Sequence, residues 1–307
     1  MSDHPESESQ KRHELRKADL WLSLERLGLE IGKLPMLKII PIEALLLHEE
    51  PDSRRLERLK VRIEATGVVR NPLIAAKDHG AASHILLDGI NRPEALRSLG
   101  ARYVLVQEVD FDDEHLALSV WHHAVESLDI PEMIGELGSR GAIADATLEF
   151  TEHGDFIPRF SGGHVCCIVL PGRTGWVVMG GGSPESNLEV LRHVVGLTER
   201  ATNRDRVSYT NMDDLCVNYP GLSALLCYKA FSKDDLLRLT LEGKRFPSGV
   251  TRFSVPKRAL EFKVSLSFLK EAASPEAKQA ELTRMILDKI RGQRIRFYEE
   301  PTFYFDD

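Results

Sequence analysis

The stretch Ile85–Gly100, "ILLDGINRPEALRSLG", decides how the first half of this chain is read. An apolar run ends in Asp88, Asp88-Gly89 turns the chain, and Asn91-Arg92-Pro93-Glu94 opens a helix that Gly100 closes. Pro93 has no amide proton to donate and suits the first helical turn, and Asn91 is the expected N-cap. The free amides of that turn then lie beside Arg92, an arrangement suited to phosphate oxygens. Asp88, at the end of the strand, is placed to hold Mg²⁺ or to orient a hydroxyl. The same residues also suit a plain strand–turn–helix with a surface arginine, and alone they do not separate the two readings.

Outward from this point, strands and helices alternate. "LKIIPIEAL" reads as a strand and a turn. "PDSRRLERLKVRIEATG" places Leu56, Leu59 and Ile63 on one helical face, with Gly67 as the stop. "NPLIAAK", "SHILL" and "RYVLVQEV" read as strands, so a compact α/β module is expected over 37–112. Residues 1–36 read as a polar tail and an amphipathic helix with Leu20, Leu24, Leu27 and Ile31 in one stripe. That stripe packs on its own domain or is donated to a second copy, making a homodimer. Residues 113–160 read as a helical connector, and 161–307 as a C-terminal α+β domain. Within the latter, "HVCCIVLPGRTGWVVMGGG" gives two apolar strands. Helices follow at "SNLEVLRHVVGLTERA", "KDDLLRLTLEG" and "EAKQAELTRMILDKIRG", and an aromatic strand pair surrounds Pro301. The fold class is α/β, α+β overall.

Composition bounds the function. A chain of 307 residues with 42% hydrophobic content can bury a substantial core, which favours two domains. A net charge of −7 argues against a chain built to coat nucleic acid. The four cysteines (Cys166, Cys167, Cys216, Cys227) have neither disulfide-framework nor metal-knuckle spacing and read as buried thiols. With no apolar signal core and no membrane-length apolar run, a reduced cytoplasmic setting is expected.

Other segments carry candidate chemistry. Glu49 in "LHEE" stands on a loop before a helix, where a carboxylate serves as general base if the geometry allows. Thr251 and Arg252 in "FPSGVTRFSVP" offer a hydroxyl and a guanidinium fork. Trp121 in "VWHHA" is either core or ligand wall. "MGGGSPES" lacks the Gly-Lys-Ser/Thr ending of a phosphate loop and reads as a hairpin or a strand-to-helix turn.

Taken in order, these pieces resemble the ParB/sulfiredoxin superfamily and, within it, the free L-serine kinases. "IIPIEALLLHEEPDSRRLERLKVRIEATGVVRNPLI" is similar to the family's strand, His-Glu loop, helix and Pro-containing strand. "ILLDGINRPEALRSLGA" resembles its Asp-Gly-His-His-Arg strand–turn–helix. Trp121 matches a tryptophan after the first domain, and "YKAFSKDDLLRLTLEGKRFPSGVTRFSVP" resembles the second domain with its Thr-Arg-His segment. The resemblance implies a ParB/sulfiredoxin-like N-terminal domain, a second α+β domain and an active cleft between them. It implies Glu49 as the base for the serine hydroxyl, and Asp88 as the residue positioning that hydroxyl or Mg²⁺. Nucleotide phosphates would lie on Gly89, Ile90, Asn91 and Arg92, and L-serine against Trp121, Thr251 and Arg252. The phosphoryl donor would be ATP or ADP, and the O-phosphoserine product would feed cysteine, siderophore or other secondary-metabolite synthesis. Ile90, Asn91 and Phe253 stand where the family has histidines. The alternatives are a ParB-like nucleotide-dependent DNA-binding regulator, which needs a basic helix-turn-helix after the first module, and a catalytically inactive paralogue.

Overall fold

The computed structural model describes residues 34–77 and 83–298. The Leu20–Ile31 stripe, with the dimer contact read from it, and residues 299–307 around Pro301 lie outside the described residues; residues 295–298, read as the first strand of the aromatic pair, form no strand.

The first half forms a five-stranded mixed sheet. Its strands are β1 (Met36–Pro41), β2 (Leu45–Leu47), β4 (Leu73–Lys77), β5 (His84–Asp88) and β6 (Tyr103–Val109), while β3 (Val68–Val69) pairs elsewhere. The sheet order is β1-β6-β4-β5-β2, with β4 parallel to β6 and β2 parallel to β5. Leu73–Ala76 and His84–Leu87 are buried at every position, as a central strand covered on both faces requires. Helix α1 (Ser53–Thr66) is capped by Asp52, which accepts from the Arg55 amide, and stops at Gly67 with φ of 63°. Helix α2 (Asn91–Ser98) follows β5.

The second half is built on a six-stranded antiparallel sheet. Chain order supplies β7 (Ala117–Val120), β8 (His122–Glu126), β9 (Ile143–Asp145), β10 (Glu149–Phe150), β11 (Phe156–Ile157), β12 (His164–Val169), β13 (Gly175–Met179), β14 (Asn203–Val207) and β15 (Leu222–Tyr228). The sheet order is β14-β8-β15-β12-β13-β9. From Ala224 onward β15 alternates: Ala224, Leu226 and Tyr228 join one core, and Leu225 and Cys227 the opposite one, with a register shift setting Leu222 on the latter side. Helices α3 (Ile130–Ser139) and α4 (Pro184–Leu197) cover the first face, and α5 (Met212–Asn218) covers the other. The glycine run leads from β13 into α4 through a Ser183/Ser186 capping box, a strand-to-helix turn.

Several expectations change. The stretch 113–160, read as a helical connector, contains one helix and a series of strands, and β8 is an interior strand of the second sheet. The chain also does not divide into two independent cores. Ile74, Ala76, Ile85 and Leu87 of the first sheet share one core with α3, α4 and helix α6 (Lys233–Leu241). After β16 (Thr251–Ser254), which pairs with β7, the chain returns to the first sheet. There β17 (Val264–Ser265) pairs with β3, and helices α7 (Leu266–Lys270) and α8 (Pro275–Arg291) follow, burying Phe268, Leu269 and Leu282 against its far face. An amphipathic helix signals that one face will be buried, not which sheet will cover it. Cys166, Cys167 and Cys227 are buried thiols, whereas Cys216 is exposed. Among the described residues no helix is long and apolar enough to cross a membrane.

Two predictions follow from this packing. Leu282→Ala in the fully buried seam of α8 should cost about 2–5 kcal/mol in denaturant unfolding; a loss below about 1 kcal/mol would mean α8 does not pack on the first sheet. The second concerns β8, where His123 Nε2–H donates to the Gly249 carbonyl at 3.0 Å and Nδ1 accepts from the Tyr228 hydroxyl at 2.9 Å. Burial, reinforced by Arg204, holds its pKa down to about 3, and burial holds that of His122 down to about 4. Unfolded histidines protonate near 6.5, so below that pH the unfolded state binds more protons and stability falls with falling pH. The denaturant midpoint should therefore drop between about pH 7 and about pH 5, and His123→Gln should flatten the slope. A midpoint that is level across this range contradicts the account.

Candidate active site

The two halves meet around a cleft of about 630 Å³. Its wall carries Arg55, Arg62, Arg70, Arg92, Arg206, Arg252 and Arg258, against the carboxylates of Glu49 and Asp88. A chain with net charge −7 thus concentrates positive charge in one concavity, where low-dielectric walls strengthen the field on an anion. All nine site residues expected from sequence line this cleft: Glu49, Asp88, Gly89, Ile90, Asn91, Arg92, Trp121, Thr251 and Arg252.

Glu49 follows β2 and is almost completely buried. Its Oε1 accepts from the Val250 amide (3.2 Å), the Thr251 amide (2.6 Å) and the Thr251 hydroxyl (2.5 Å), and Oε2 accepts from the Gly249 amide (3.2 Å). The backbone reinforces this contact: the Phe246 amide donates to the His48 carbonyl and the Glu50 amide to the Phe246 carbonyl. Gly249, at φ of 80°, provides the left-handed turn that swings these amides toward the carboxylate. Four donors thus converge on one buried carboxylate.

The Asp88–Arg92 loop is held differently from the sequence expectation. Ile90 occupies the N-cap position of α2, unusually with helical angles (φ −47°, ψ −37°), and no side chain caps the helix. Asn91 is not the cap. Its Oδ1 accepts from the Asp52 amide at 2.8 Å, tying α2 to the start of α1. The Arg92 guanidinium turns inward, where Nη1 donates to the carbonyls of Asn71 (2.5 Å) and Pro72 (3.1 Å). Burial, with Arg62 nearby, lowers its pKa to about 10, so it remains charged at neutral pH. Gly89 (φ 92°) lies over it, and a Cβ there would fall 2.7 Å from Arg92 Nε and 2.6 Å from Leu73 Cδ2. Asp88 pairs with Arg258 from the segment after β16. Ile90 packs on the first sheet's core.

Trp121 lies on the cleft wall between two guanidiniums. Arg252 stacks over its ring at 4.3 Å and Arg206 stands 5.6 Å from the ring centroid. Its amide donates to the Val250 carbonyl, which fixes the ring beside the Glu49 contact. Phe253 sits edge-on to His48 with centroids 5.6 Å apart. Among the described residues no group of three or more His, Cys, Asp or Glu side chains is arranged to hold a metal ion.

Sequence reading missed three residues here. Arg206 lies on β14, "NRDRV", whose alternation is of charges and carries no apolar signal. Burial lowers its pKa, with Arg55 the next contributor. Arg258 followed a proline with no motif around it. His48 stood beside Glu49 in the quoted "LHEE" and is fully buried.

No protein-family model matches the chain. It is 27% identical over 245 residues to the ATP-dependent L-serine kinase SbnI of Staphylococcus aureus, covering 76% of this chain and 84% of that protein. It is 21% identical over 230 residues to the ADP-dependent L-serine kinase SerK of Thermococcus kodakarensis, covering 71% of this chain and 86% of that one. Among solved structures, C-terminally truncated SbnI from S. aureus superposes with a TM-score of 0.65 at 24% identity, over 82% of this chain and 96% of that one. A free serine kinase in complex with AMP superposes with a TM-score of 0.60 at 17% identity, over 77% and 94%. The mixed α/β architecture is therefore that of the free serine kinase structures.

Proposed function

We propose that this chain is a phosphotransferase that moves a phosphoryl group from a nucleotide to the hydroxyl of free L-serine, giving O-phospho-L-serine. The observation that carries this reading is the arginine-walled cleft with a buried, four-fold hydrogen-bonded carboxylate on its wall. The likeness to both ATP-dependent and ADP-dependent L-serine kinases over most of the chain supports it. Phosphoryl transfer depends chiefly on positioning and on neutralising charge spread over the phosphate oxygens. The cleft's arginines provide that neutralisation. The acceptor oxygen attacks the terminal phosphorus, the bond to the leaving phosphate breaks, and the hydroxyl proton passes to Glu49.

In this reading the N-terminal half, ParB/sulfiredoxin-like, holds the nucleotide. The α2 amides and the Gly89–Arg92 loop face its phosphates, with Arg92 acting from beneath through the loop it anchors. Trp121, Arg252 and Arg206 enclose the amino acid, and a guanidinium is a bidentate partner for its carboxylate. Asp88 is the carboxylate that would hold Mg²⁺, which usually takes only one or two carboxylates from the protein, and the ion would supply charge neutralisation for the phosphates. Arg258, which pairs with Asp88, would then have to release it. The enzyme works in the cytoplasm, where its thiols stay reduced, and the product serves cysteine, siderophore or related synthesis.

Incubating the purified chain with L-serine, Mg²⁺ and either ATP or ADP should yield O-phosphoserine by mass spectrometry. Glu49→Gln should cut kcat by about 10²–10⁴ while the chain stays folded by circular dichroism. No product with either donor rejects the kinase assignment, and a variant rate within about tenfold of wild type removes Glu49 as the base.

A further inference from the structure

Behind Glu49, three side chains form a line of short contacts whose ordinary charge states supply one proton too few. His48 Nδ1 lies 2.5 Å from the Leu86 carbonyl oxygen, which can only accept, so Nδ1 carries a proton. On the other side of the ring, Nε2 lies 2.7 Å from Thr251 Oγ1. The same hydroxyl oxygen lies 2.5 Å from Glu49 Oε1. A hydroxyl has one proton to donate. With a neutral imidazole and an ionised carboxylate, both neighbours of Oγ1 are acceptors and one contact holds no hydrogen. A proton on Nε2 completes the line: His48 donates to Thr251, and Thr251 donates to Glu49. The same atoms therefore have two arrangements that differ by one proton.

The surroundings keep both arrangements within reach. His48 is fully buried, which disfavours the imidazolium and lowers its pKa; the Glu49 charge and the Leu86 carbonyl act in the opposite sense. Phe253, which is uncharged, meets the ring edge-on. Arg206 acts on Glu49, with Arg55 and Asp52 beyond it. When His48 is charged, Glu49 receives all four of its donors. When His48 is neutral, the Thr251 hydroxyl turns to Nε2, and the Glu49 carboxylate has one acceptor position open to another donor.

We propose that His48 is a positioning residue that, through the Thr251 hydroxyl, sets whether Glu49 is free to take the acceptor's proton. This rests on the kinase reading above. In the neutral arrangement the acceptor's O–H bond breaks toward the Glu49 carboxylate while its oxygen electron pair forms the new P–O bond and the old P–O bond to the leaving phosphate breaks. The proton leaves to solvent after product release. Lowering the pH loads Nε2, returns the hydroxyl to Glu49 and stops turnover, with a midpoint that belongs to the three residues jointly.

The test combines ¹⁵N NMR of imidazole-labelled full-length protein with kcat–pH profiles, the His48 signals being identified by their loss in His48→Gln. The expected neutral form is the Nδ1–H tautomer, titrating with the midpoint of the acid limb of kcat. His48→Gln should displace that limb by about one pH unit and lower kcat roughly tenfold with little change in KM. Thr251→Val should shift the His48 titration, and Thr251→Ser, which restores a hydroxyl, should bring it back toward wild type. An Nε2–H tautomer, or an unchanged acid limb in His48→Gln, overturns the proposal. If that variant does not fold, the tautomer and the Thr251→Val titration decide. Wild type without product overturns the kinase reading and this one together, whereas product formation with unshifted midpoints overturns the role of His48 alone.

Discussion

The carboxylate of Glu49 gathers three consecutive backbone amides and a hydroxyl from residues 249–251, some two hundred positions further along the chain. Hydrogen bonds to a buried charged group contribute about 1.5–3 kcal/mol each, more than neutral ones. The contact fixes where β16 begins, and β16 pairs with β7, so Val120 and Trp121 take their places from it. Trp121 in turn carries the two stacked guanidiniums. Without the carboxylate, three amides would face a buried site with no acceptor, a cost large enough to open the cleft.

The same economy of polar groups holds around the cleft. Arg92 anchors the loop beneath the expected phosphate site, and Asn91 joins α2 to α1. Residues that look like direct ligands in sequence thus act partly by holding backbone in place. Arg206 and Arg258, which lacked a motif, line the cleft beside the expected Arg252.

What was legible in the sequence follows the range of the interactions. The strand–turn–helix at Ile85–Gly100, the α1 stop at Gly67 and the α4 start follow from local angles and caps, and the expected elements are present. Asn91 does not cap α2 because it is already the first helical residue and its Oδ1 is taken by the Asp52 amide, a contact 39 residues away that local sequence does not announce. Strand β8 was hidden because its two histidines mask an interior strand, and β14 because its residues are charged. The return of α8 to the first sheet depends on long-range packing that no periodicity encodes. The nine expected site residues did converge, since order along the chain carried information that single motifs lacked.

The central claim is that the Glu49 carboxylate holds the 249–251 segment and thereby the cleft. Hydrogen–deuterium exchange at the Gly249, Val250 and Thr251 amides measures it directly. The account predicts strong protection in the wild-type chain and its loss in Glu49→Ala, with the amides of β4 and β5 unaffected. Equal exchange at 249–251 in the two proteins would contradict it.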